Sequence, residues 1–286
     1  MISYIGGKSR ISSFIIPYIP KDIETYVESF SGMYWVFFKM NLDDYPNLNK
    51  IVYNDFNKLN VNLIRCVSTD HNKLLEACEK VPVQLKRDDN TPTPSECEEF
   101  FNQSQKEIYS PDIIISGDPD YELASKYALV LSSIFSGSNP SGSKFIDLKG
   151  KYHSKFTSFM NKLRDVKWQR MFNSITIVEN MDFQDVIEKY NGDKTYIYND
   201  PPYYIVGEGS YYSNHGFTRE DHERLAICLK STKARWSLSY YYFDKLEEWF
   251  PRDEYRWVEK EFNKASGAKK GSAQSKGTEL LIMNYE

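Results

Sequence analysis

The segment best suited to chemistry joins a carboxylate, two prolines and an aromatic ring at the end of an apolar run. Residues 195–204 have the sequence Thr-Tyr-Ile-Tyr-Asn-Asp-Pro-Pro-Tyr-Tyr, so that Asp200 and Tyr203 flank Pro201 and Pro202. Consecutive prolines fix their own φ angles and offer no N–H to a sheet, so a strand in the first half of this segment must end there. The loop that follows would present a carboxylate, carbonyl oxygens and a stacking surface. Open α/β folds place ligands at such strand ends, although Asp-Pro is also common in ordinary turns.

Two earlier segments also end short β-rich runs with residues that suit a nucleotide-like ligand. Thr25–Gly32 predicts a strand and a tight turn, and the apolar segment Met33–Met40 predicts the helix that follows. Lys50–Asn57 predicts a second strand, which ends near Asp55. An acid about 20 residues after the first turn can accept hydrogen bonds from ribose hydroxyls. The alternative is that Asp55 or Asn57 simply caps the next helix.

A third candidate lies at the N-terminus, where residues 6–9 have the sequence Gly-Gly-Lys-Ser. A P-loop needs a glycine five positions before Gly7, and the chain has Ile2 there, so the pattern excludes a P-loop. Tyr4 and Lys8 could instead hold a small ligand beside the flexible glycines. A plain glycine-containing turn is the alternative.

The order of elements that must position these residues alternates between strands and helices. Further strands are predicted over Ser174–Val178, Arg235–Ser239 and Glu279–Tyr285. Thr218 is predicted to cap a helix, with Asp221 three residues on as an imperfect capping box. The alternation predicts an α/β fold with a parallel sheet that is interrupted once.

Residues 66–165 differ in character and predict that interruption. The part over 76–120 is rich in Asp and Glu and is broken by prolines, whereas Glu122–Phe135 and Ser154–Met171 show helical periodicity. The predicted domains are therefore a catalytic domain over 1–65 and 166–286 and an inserted, mostly helical domain over 66–165.

Composition limits the classes of protein. A chain of 286 residues with a net charge of −4 has ample core but no global basic field, so any nucleic-acid surface must be a local patch. The sequence shows neither a signal peptide nor an apolar run of membrane-spanning length, which predicts an intracellular, cytoplasmic protein that binds no membrane. No metal site is expected, because the histidines lack metal-binding spacing and no Cys-x-x-Cys pair occurs. The same cysteine pattern predicts no disulfides and a reducing compartment. The cysteines are Cys66, Cys78, Cys97 and Cys228.

Two polar, glycine-rich segments are candidates for contact with a sugar-phosphate backbone. Residues 136–144 are followed by a basic cluster over Lys149–Lys155, and residues 263–277 carry lysines without any acid. A flexible linker in the first case and an ordinary surface loop in the second are the alternatives.

Taken together, these motifs resemble those of the Dam-like family of N6-adenine DNA methyltransferases. The resemblance covers nearly the full chain as an order of motifs. One departure is Tyr34, because the family usually has a second glycine at that position. The matching segments are Tyr4–Lys8, Phe30–Gly32, Asn54–Asn57, Asp200–Tyr203 and Gly277–Leu281.

The resemblance implies a Rossmann-like sheet, S-adenosylmethionine as cofactor and an insertion that recognises the target sequence. Asp200 and the Pro201 carbonyl would accept hydrogen bonds from the target amine, while Tyr203 would stack on the flipped base. The implied catalytic residues are Asp200, Pro201, Pro202 and Tyr203. The implied cofactor residues are Tyr4, Gly6, Gly7, Lys8, Phe30, Gly32, Asp55, Phe56, Asp182, Phe183 and Asp200.

The chemistry agrees with these residue types. The lone pair of an aromatic amine is delocalised into its ring, and two acceptors on its hydrogens favour a pyramidal, more nucleophilic nitrogen. A cytosine-carbon methyltransferase would need a nucleophilic cysteine, typically after a proline, and none of the four cysteines follows one.

The expected partner is double-stranded DNA, bound by a monomer or weak dimer. An inactive DNA-binding protein of the same fold and a methyltransferase acting on RNA or protein are the alternatives. The candidate DNA contacts are Ser138, Asn139, Ser143, Lys144, Tyr212, Lys269 and Lys270.

Overall fold

The computed structural model describes residues 2, 7–85, 92–133, 154–204, 217–263 and 276–286. Two compact units can be distinguished. The first unit comprises Met1–Lys8, Gly32–Phe38 and Phe56–Asn180. The second unit comprises Ser9–Ser31, Lys39–Asp55 and Met181–Glu286.

The helices and strands of the described residues alternate along much of the chain. In order they are α1 (Ser12–Ile15), β1 (Thr25–Glu28), β2 (Lys50–Asn54), α2 (Lys58–Glu79), α3 (Pro94–Ile108), α4 (Tyr121–Ser133), α5 (Ser154–Arg164), α6 (Val166–Ser174), β3 (Ile177–Glu179), α7 (Phe183–Lys189), β4 (Thr195–Asn199), α8 (Arg219–Ser231), β5 (Arg235–Tyr240), α9 (Lys245–Trp249), β6 (Arg256–Asn263) and β7 (Lys276–Met283).

The second unit is built on a sheet in which strands follow the order β2-β1-β4-β5-β7-β6. Strands β2, β1, β4 and β5 run parallel, whereas β7 runs antiparallel to both β5 and β6. The chain leaves β1 toward β2 on one side and leaves β4 toward β5 on the other. The β1–β4 junction is therefore the topological switch point, where open α/β sheets bind ligands. These strands confirm the predicted α/β fold with a Rossmann-like sheet.

The parallel strands are buried on both faces and are held together by hydroxyl pairs as well as by the backbone. Tyr196 and Tyr198 of β4 are almost fully buried. Their hydroxyls meet Ser237 Oγ at 2.5 Å and Ser239 Oγ at 2.8 Å on β5. A buried phenol needs such a partner, so the alternating Tyr and Ser residues fix how β4 and β5 face each other.

The predicted helix over Met33–Met40 is wrong, because the structure has only a short 3-10 turn at Phe37–Lys39. Gly32 has a φ of 50° and Tyr34 a φ of 57°, both in the left-handed region. An α-helix cannot continue through residues in that conformation, so the backbone after the turn follows a different course from the one that the apolar pattern suggested.

The first unit contains most of the helical part of the chain. Helix α2 is kinked at Asp70, whose φ of −158° and ψ of 89° lie outside the helical region and whose carboxylate accepts from the backbone N–H groups of Asn72 and Lys73. The predicted single helix over Ser154–Met171 is two helices, because the Asp165 side chain caps α6 directly after α5 ends. The predicted insertion boundary, 66–165, remains a prediction.

Buried polar pairs tie the helices of the first unit together. Asn62 on α2 donates to Asp120 O at 2.8 Å and accepts from Asp120 N at 2.9 Å, just before α4 begins. The Tyr127 hydroxyl on α4 donates to Asn60 Oδ1 at 2.7 Å. Both amide groups of Asn62 and the amide oxygen of Asn60 are thereby paired on side chains that are fully buried on α2, which fixes the contact between the two helices.

Three general properties bear on function. No helix among the described residues is long and apolar enough to cross a membrane. The part of the chain that the structure describes holds no group of three or more His, Cys, Asp or Glu that could ligate a metal ion. All four cysteines are described and buried, and none of them forms a disulfide.

Candidate active site

The loop after β4 presents the predicted catalytic residues in the second unit. Strand β4 ends at Asn199, and Asp200 and Pro201 follow directly, as the two prolines require. The buried Asn199 side chain donates to Ile197 O and Ser237 O, each at 3.3 Å. The start of the loop is therefore tied to the neighbouring strand β5.

Tyr203 is held on several sides. Its hydroxyl donates a short hydrogen bond to the Glu279 carboxylate on β7. Its ring stacks on Tyr240, with centroids 5.4 Å apart and planes inclined by 25°, and meets Tyr241 edge-on at 4.5 Å. The residue as a whole is half-buried. The residue predicted to stack on a base thus has a fixed orientation and some accessible surface.

The phenols around this loop are kept neutral. Burial raises the pKa of Tyr203 well above its ordinary value, and the nearby charges of Asp200 and Glu279 add to the effect. Burial and the Asp200 charge likewise raise the pKa of Tyr198 and Tyr240. These hydroxyls therefore remain hydrogen-bond donors at neutral pH and do not become competing anions.

The turn after β1 lies beside this loop in the sheet, since β1 and β4 are neighbours with Glu28 opposite Tyr198. Ser31 fixes the turn. Its N–H donates to Asn54 O at 2.9 Å, and its Oγ donates to Glu28 O at 2.9 Å and accepts from Asn54 N at 3.1 Å. The turn that carries Phe30 is thereby bonded to the end of β2.

Asn54, at the end of β2, connects two loop segments. Its Nδ2 donates to Ser29 O at 2.9 Å and to Met181 O at 3.2 Å, while its Oδ1 accepts from Met181 N at 2.9 Å. Sequence reasoning assigned no role to this side chain. It binds the segment before α7 to the ends of β1 and β2.

Phe30 and Phe183 form an aromatic wall on the same side of the second unit. The two rings stack with centroids 5.4 Å apart, and Phe217 contacts both at 5.6 Å. The Arg224 guanidinium lies 4.2 Å from the centroid of Phe183. Phe183 is only 4% exposed, whereas Phe30 is partly exposed. Phe30 is therefore the member of this pair that offers a surface to a ligand.

Asp182 has structural partners beyond its predicted role near a cofactor. Its Oδ1 accepts from Gln184 N at 2.9 Å and so caps α7. Its two carboxylate oxygens also form a bidentate pair with Arg224, at 2.6 and 2.9 Å. The hydrogen bond that Arg224 donates to Asp182 is the main cause of the raised pKa of Arg224, although burial opposes it. Asp182 thereby orients the segment that carries Phe183.

Asp55 follows β2 directly, and the alternative explanation for it can be resolved. The cap of α2 is Asn57, whose side chain accepts from Leu59 N at 2.9 Å. Helix capping therefore does not account for Asp55, which lies partly exposed at the end of its strand. A carboxylate in that position suits a ligand with vicinal hydroxyls.

The structure brings many of the predicted site residues into one unit. Those in the second unit are Phe30, Asp55, Asp182, Phe183, Asp200, Pro201, Pro202 and Tyr203. Those in the first unit are Gly7, which is exposed, Lys8, which is buried, Gly32, with its positive φ, and Phe56, which is 77% exposed. The predicted residues outside the described ranges are Tyr4, Gly6, Ser138, Asn139, Ser143, Lys144, Tyr212, Lys269 and Lys270.

Three side chains of the site received no role from sequence reasoning, namely Asn54, Arg224 and Glu279. Only Glu279 carried a usable signal, because a lone carboxylate next to the apolar run Leu280–Met283 is unusual in a strand. The contacts of Asn54 with Met181, of Glu279 with Tyr203 and of Arg224 with Asp182 join residues that are distant in sequence, so no local pattern reveals these pairings.

Comparisons with known proteins agree with this geometry. A sequence model of the family described as D12 class N6 adenine-specific DNA methyltransferase matches residues 4–265. No curated protein sequence matches the chain significantly.

Proposed function

The chain belongs to the D12 class of N6 adenine-specific DNA methyltransferases, and from this premise we propose which residues bind the methyl donor and which activate the adenine. Membership makes the chain an enzyme that methylates the N6 amine of adenine in DNA, and it implies a methyl donor. The proposal is that the donor is S-adenosylmethionine, bound at the ends of β1 and β2, and that Asp200 receives the adenine. The observation that carries it is the position of Asp200 immediately after β4, beside the β1 turn at the switch point of the sheet.

The residues at the ends of β1 and β2 fit S-adenosylmethionine. Asp55 supplies acceptors for the ribose hydroxyls, and the partly exposed Phe30 supplies an apolar surface for an adenine ring. Ser29 Oγ, in the same turn, is buried and has no hydrogen-bond partner among the described residues. A polar ligand near this turn would offer it one. When bound, S-adenosylmethionine supplies an electrophilic methyl group.

Asp200 and the Pro201 carbonyl activate the target amine because each accepts a hydrogen bond from one of its two N–H groups. These bonds favour a pyramidal nitrogen whose lone pair points away from the adenine ring, toward the incoming methyl group. Methyl transfer leaves the nitrogen with a positive charge, and release of one of its protons to water makes the product neutral. Asp200 serves as an acceptor in this scheme and need not remove the proton itself.

Tyr203 completes the pocket by stacking on the extruded base. Taking a base out of a duplex costs a few kcal/mol, and stacking on an aromatic ring returns about 1–3 kcal/mol. The phenol is fixed by Glu279 and Tyr240, so little orientational freedom is lost when the base arrives.

The net charge of the chain limits where DNA can bind. With a net charge of −4, the chain must contact phosphates through local basic segments. The proposed contacts are those predicted from sequence, with double-stranded DNA as substrate and Ser138, Asn139, Ser143, Lys144, Tyr212, Lys269 and Lys270 as the contacting residues.

The decisive experiment measures transfer of a labelled methyl group from S-adenosylmethionine to adenine in duplex DNA. We expect N6-methyladenine from the wild-type protein and a loss of at least about 100-fold in kcat for Asp200→Ala, because the acceptor that localises the lone pair is gone. Asp193→Ala, an exposed acid shortly before β4, is the matched control and should leave the rate unchanged. Retention of activity by Asp200→Ala would refute the assigned role.

The donor site can be tested separately by calorimetry. S-adenosylmethionine should bind the wild-type protein and bind Asp55→Ala more weakly, because the ribose hydroxyls lose their acceptors. Binding of equal strength to both proteins would place the donor elsewhere.

A further inference from the structure

We propose that Glu279 is a positioning residue for the catalytic loop: its buried carboxylate holds the Tyr203 hydroxyl and so fixes the position, within its own plane, of the ring on which the target adenine stacks. This inference rests on the proposed function, in which Tyr203 is the stacking residue. It assigns a role in the reaction to β7, which lies outside the segment Asp200–Tyr203.

Glu279 is placed for this role by the antiparallel part of the sheet. It lies on β7, opposite Lys260 of β6, and the next residue, Leu280, pairs with Tyr240 of β5. Only 1% of Glu279 is exposed. A carboxylate is rarely retained in such surroundings unless it is paired, because burial of an unpaired charge is costly. The hydrogen bond from the Tyr203 hydroxyl offsets part of the free energy that burial of this carboxylate costs.

The hydrogen bond adds a constraint that ring packing alone does not give. Contacts with Tyr240 and Tyr241 hold the Tyr203 ring by its face and edge, but apolar contacts have little directional preference within the ring plane. The bond to Glu279 fixes the far end of the ring, so rotation and sliding in that plane are restricted. The ring is then oriented before any base arrives.

The bond also directs the only proton that Tyr203 can donate. A phenol has one O–H, and the O–H of Tyr203 donates its hydrogen bond to Glu279. The charge of Asp200 also acts on Tyr203. Without Glu279, the phenol O–H would therefore have the Asp200 carboxylate as an alternative acceptor. By accepting this hydrogen bond, Glu279 occupies the phenol O–H, which then does not compete for the carboxylate that must accept the adenine amine.

A double-mutant cycle on kcat tests the proposal. Glu279→Leu removes the acceptor, Tyr203→Phe removes the donor, and each should lower kcat roughly tenfold with the KM for S-adenosylmethionine changed less than about twofold. The double variant should be no slower than either single variant, because both act through the same bond. Glu279→Gln keeps an acceptor oxygen and should retain most of the wild-type kcat.

Stability measured on the same proteins separates positioning from a merely structural role. Tyr203→Phe leaves a buried carboxylate without this donor, whereas the double variant removes both partners and should regain much of the wild-type Tm. Under the proposal the double variant is stable but remains slow. Recovery of wild-type kcat together with Tm would overturn it.

A spectroscopic readout follows the base itself. With 2-aminopurine at the target adenine, the fluorescence of the wild-type complex should differ from that of both single variants, because stacking on an unrestrained ring differs from stacking on a fixed one. Identical spectra for all three proteins would also overturn the proposal.

The controls distinguish this inference from the proposed function. Glu259→Leu removes an exposed glutamate from the neighbouring strand β6 and should leave kcat unchanged. If Asp200→Ala is inactive while Glu279→Leu and Tyr203→Phe turn over at the wild-type rate, the positioning role fails and the proposed function stands. If Asp200→Ala remains active, the assignment of the catalytic loop fails instead.

Discussion

The Asn54 side chain forms hydrogen bonds with both backbone polar groups of Met181, accepting from its N–H at 2.9 Å and donating to its carbonyl at 3.2 Å. The two residues lie 127 positions apart in the sequence. The same amide donates to Ser29 O at 2.9 Å, so a single buried side chain joins the turn after β1 to the segment before α7. The Asn54 side chain can bond both the N–H and the carbonyl of one residue, as a neighbouring strand would, because its amide carries both a donor and an acceptor.

Asn54→Ala should therefore destabilise the protein by about 2–4 kcal/mol, because it leaves Met181 N–H and two carbonyls without their partner and creates a small cavity. It should also raise the KM for S-adenosylmethionine, since Phe30 and Phe183 lie on the two segments that Asn54 joins. Urea unfolding and initial-rate kinetics would measure the two effects. Asn49→Ala is the matched control, because Asn49 is exposed and its side chain donates to Asn47 O at the surface, and its effect should stay within about 0.5 kcal/mol.

Features that depend on local sequence were predicted well. Thr218 caps α8, and Asp221 completes a capping box three residues on, because both partners lie within one helical turn. The end of β4 before Pro201 follows equally from the two prolines. Such features need only the covalent geometry of neighbouring residues.

Features that depend on distant contacts were missed or predicted wrongly. The apolar pattern of Met33–Met40 suggested a helix, whereas Tyr34 lies in the left-handed region. Its buried ring packs on Phe37 and Phe38 without a helix, and the apolar pattern does not encode the positive φ angles that prevent one. The role of Glu279 was hidden because its partner Tyr203 is 76 positions away. Long-range packing thus decided what local propensity left open.

Arg224 should be sensitive even to a conservative change. It pairs with both oxygens of Asp182, contacts Asp221 at 2.8 Å and lies over the ring of Phe183. A lysine cannot reproduce the bidentate pair or the planar contact with the ring. Arg224→Lys should raise the KM for S-adenosylmethionine several-fold with a smaller effect on kcat, because the segment that carries Phe183 loses its support.

Initial-rate kinetics at varied S-adenosylmethionine would measure this split between KM and kcat. Arg252→Lys offers a control of similar exposure, because Arg252 pairs with Glu247 and Glu259 away from the site. It should leave both constants unchanged. Equal constants for wild-type and Arg224→Lys would show that the pair with Asp182 does not support the donor site.

At Tyr34, substitution by glycine should give a more stable protein than substitution by alanine, which is the reverse of the usual order within a helix. Its φ of 57° costs a residue with a Cβ about 1–2 kcal/mol, while its fully buried ring packs on Phe37 at 4.5 Å and on Phe38 at 5.6 Å. Both Tyr34→Ala and Tyr34→Gly lose that packing and should destabilise the protein. The glycine variant should nevertheless be the more stable of the two by about 1 kcal/mol, because only the alanine variant keeps the strain.

The same pair of substitutions at Tyr127 provides the comparison, since Tyr127 is equally buried but lies within α4. There the alanine variant should be more stable than the glycine variant by about 1 kcal/mol. Urea unfolding of the four proteins measures both differences. The same order at the two positions would mean that Tyr34 is not strained.

His222 should make the protein less stable in acid. It is 5% exposed, its Nδ1 shares a short hydrogen bond with the Tyr240 hydroxyl, and burial lowers its pKa from 6.5 to about 4. The unfolded chain therefore takes up a proton on this residue near pH 6.5, whereas the folded protein resists protonation until about pH 4. The contribution of neutral His222 to the free energy of unfolding is fully present above pH 6.5. It is lost as the pH falls from 6.5 to about 4, which lowers the stability by about 3 kcal/mol from this residue alone.

The acid effect can be isolated with His222→Asn, which keeps a polar partner for Tyr240 but does not titrate in this range. The free energy of unfolding, measured in urea at several pH values between 7 and 4, should fall more steeply for the wild-type protein than for the variant. The difference should persist in high salt, because burial of the imidazole is its cause and burial is not screened, unlike the effect of exposed ion pairs. Parallel curves for the two proteins would show that His222 is protonated as readily in the folded state as in the unfolded chain.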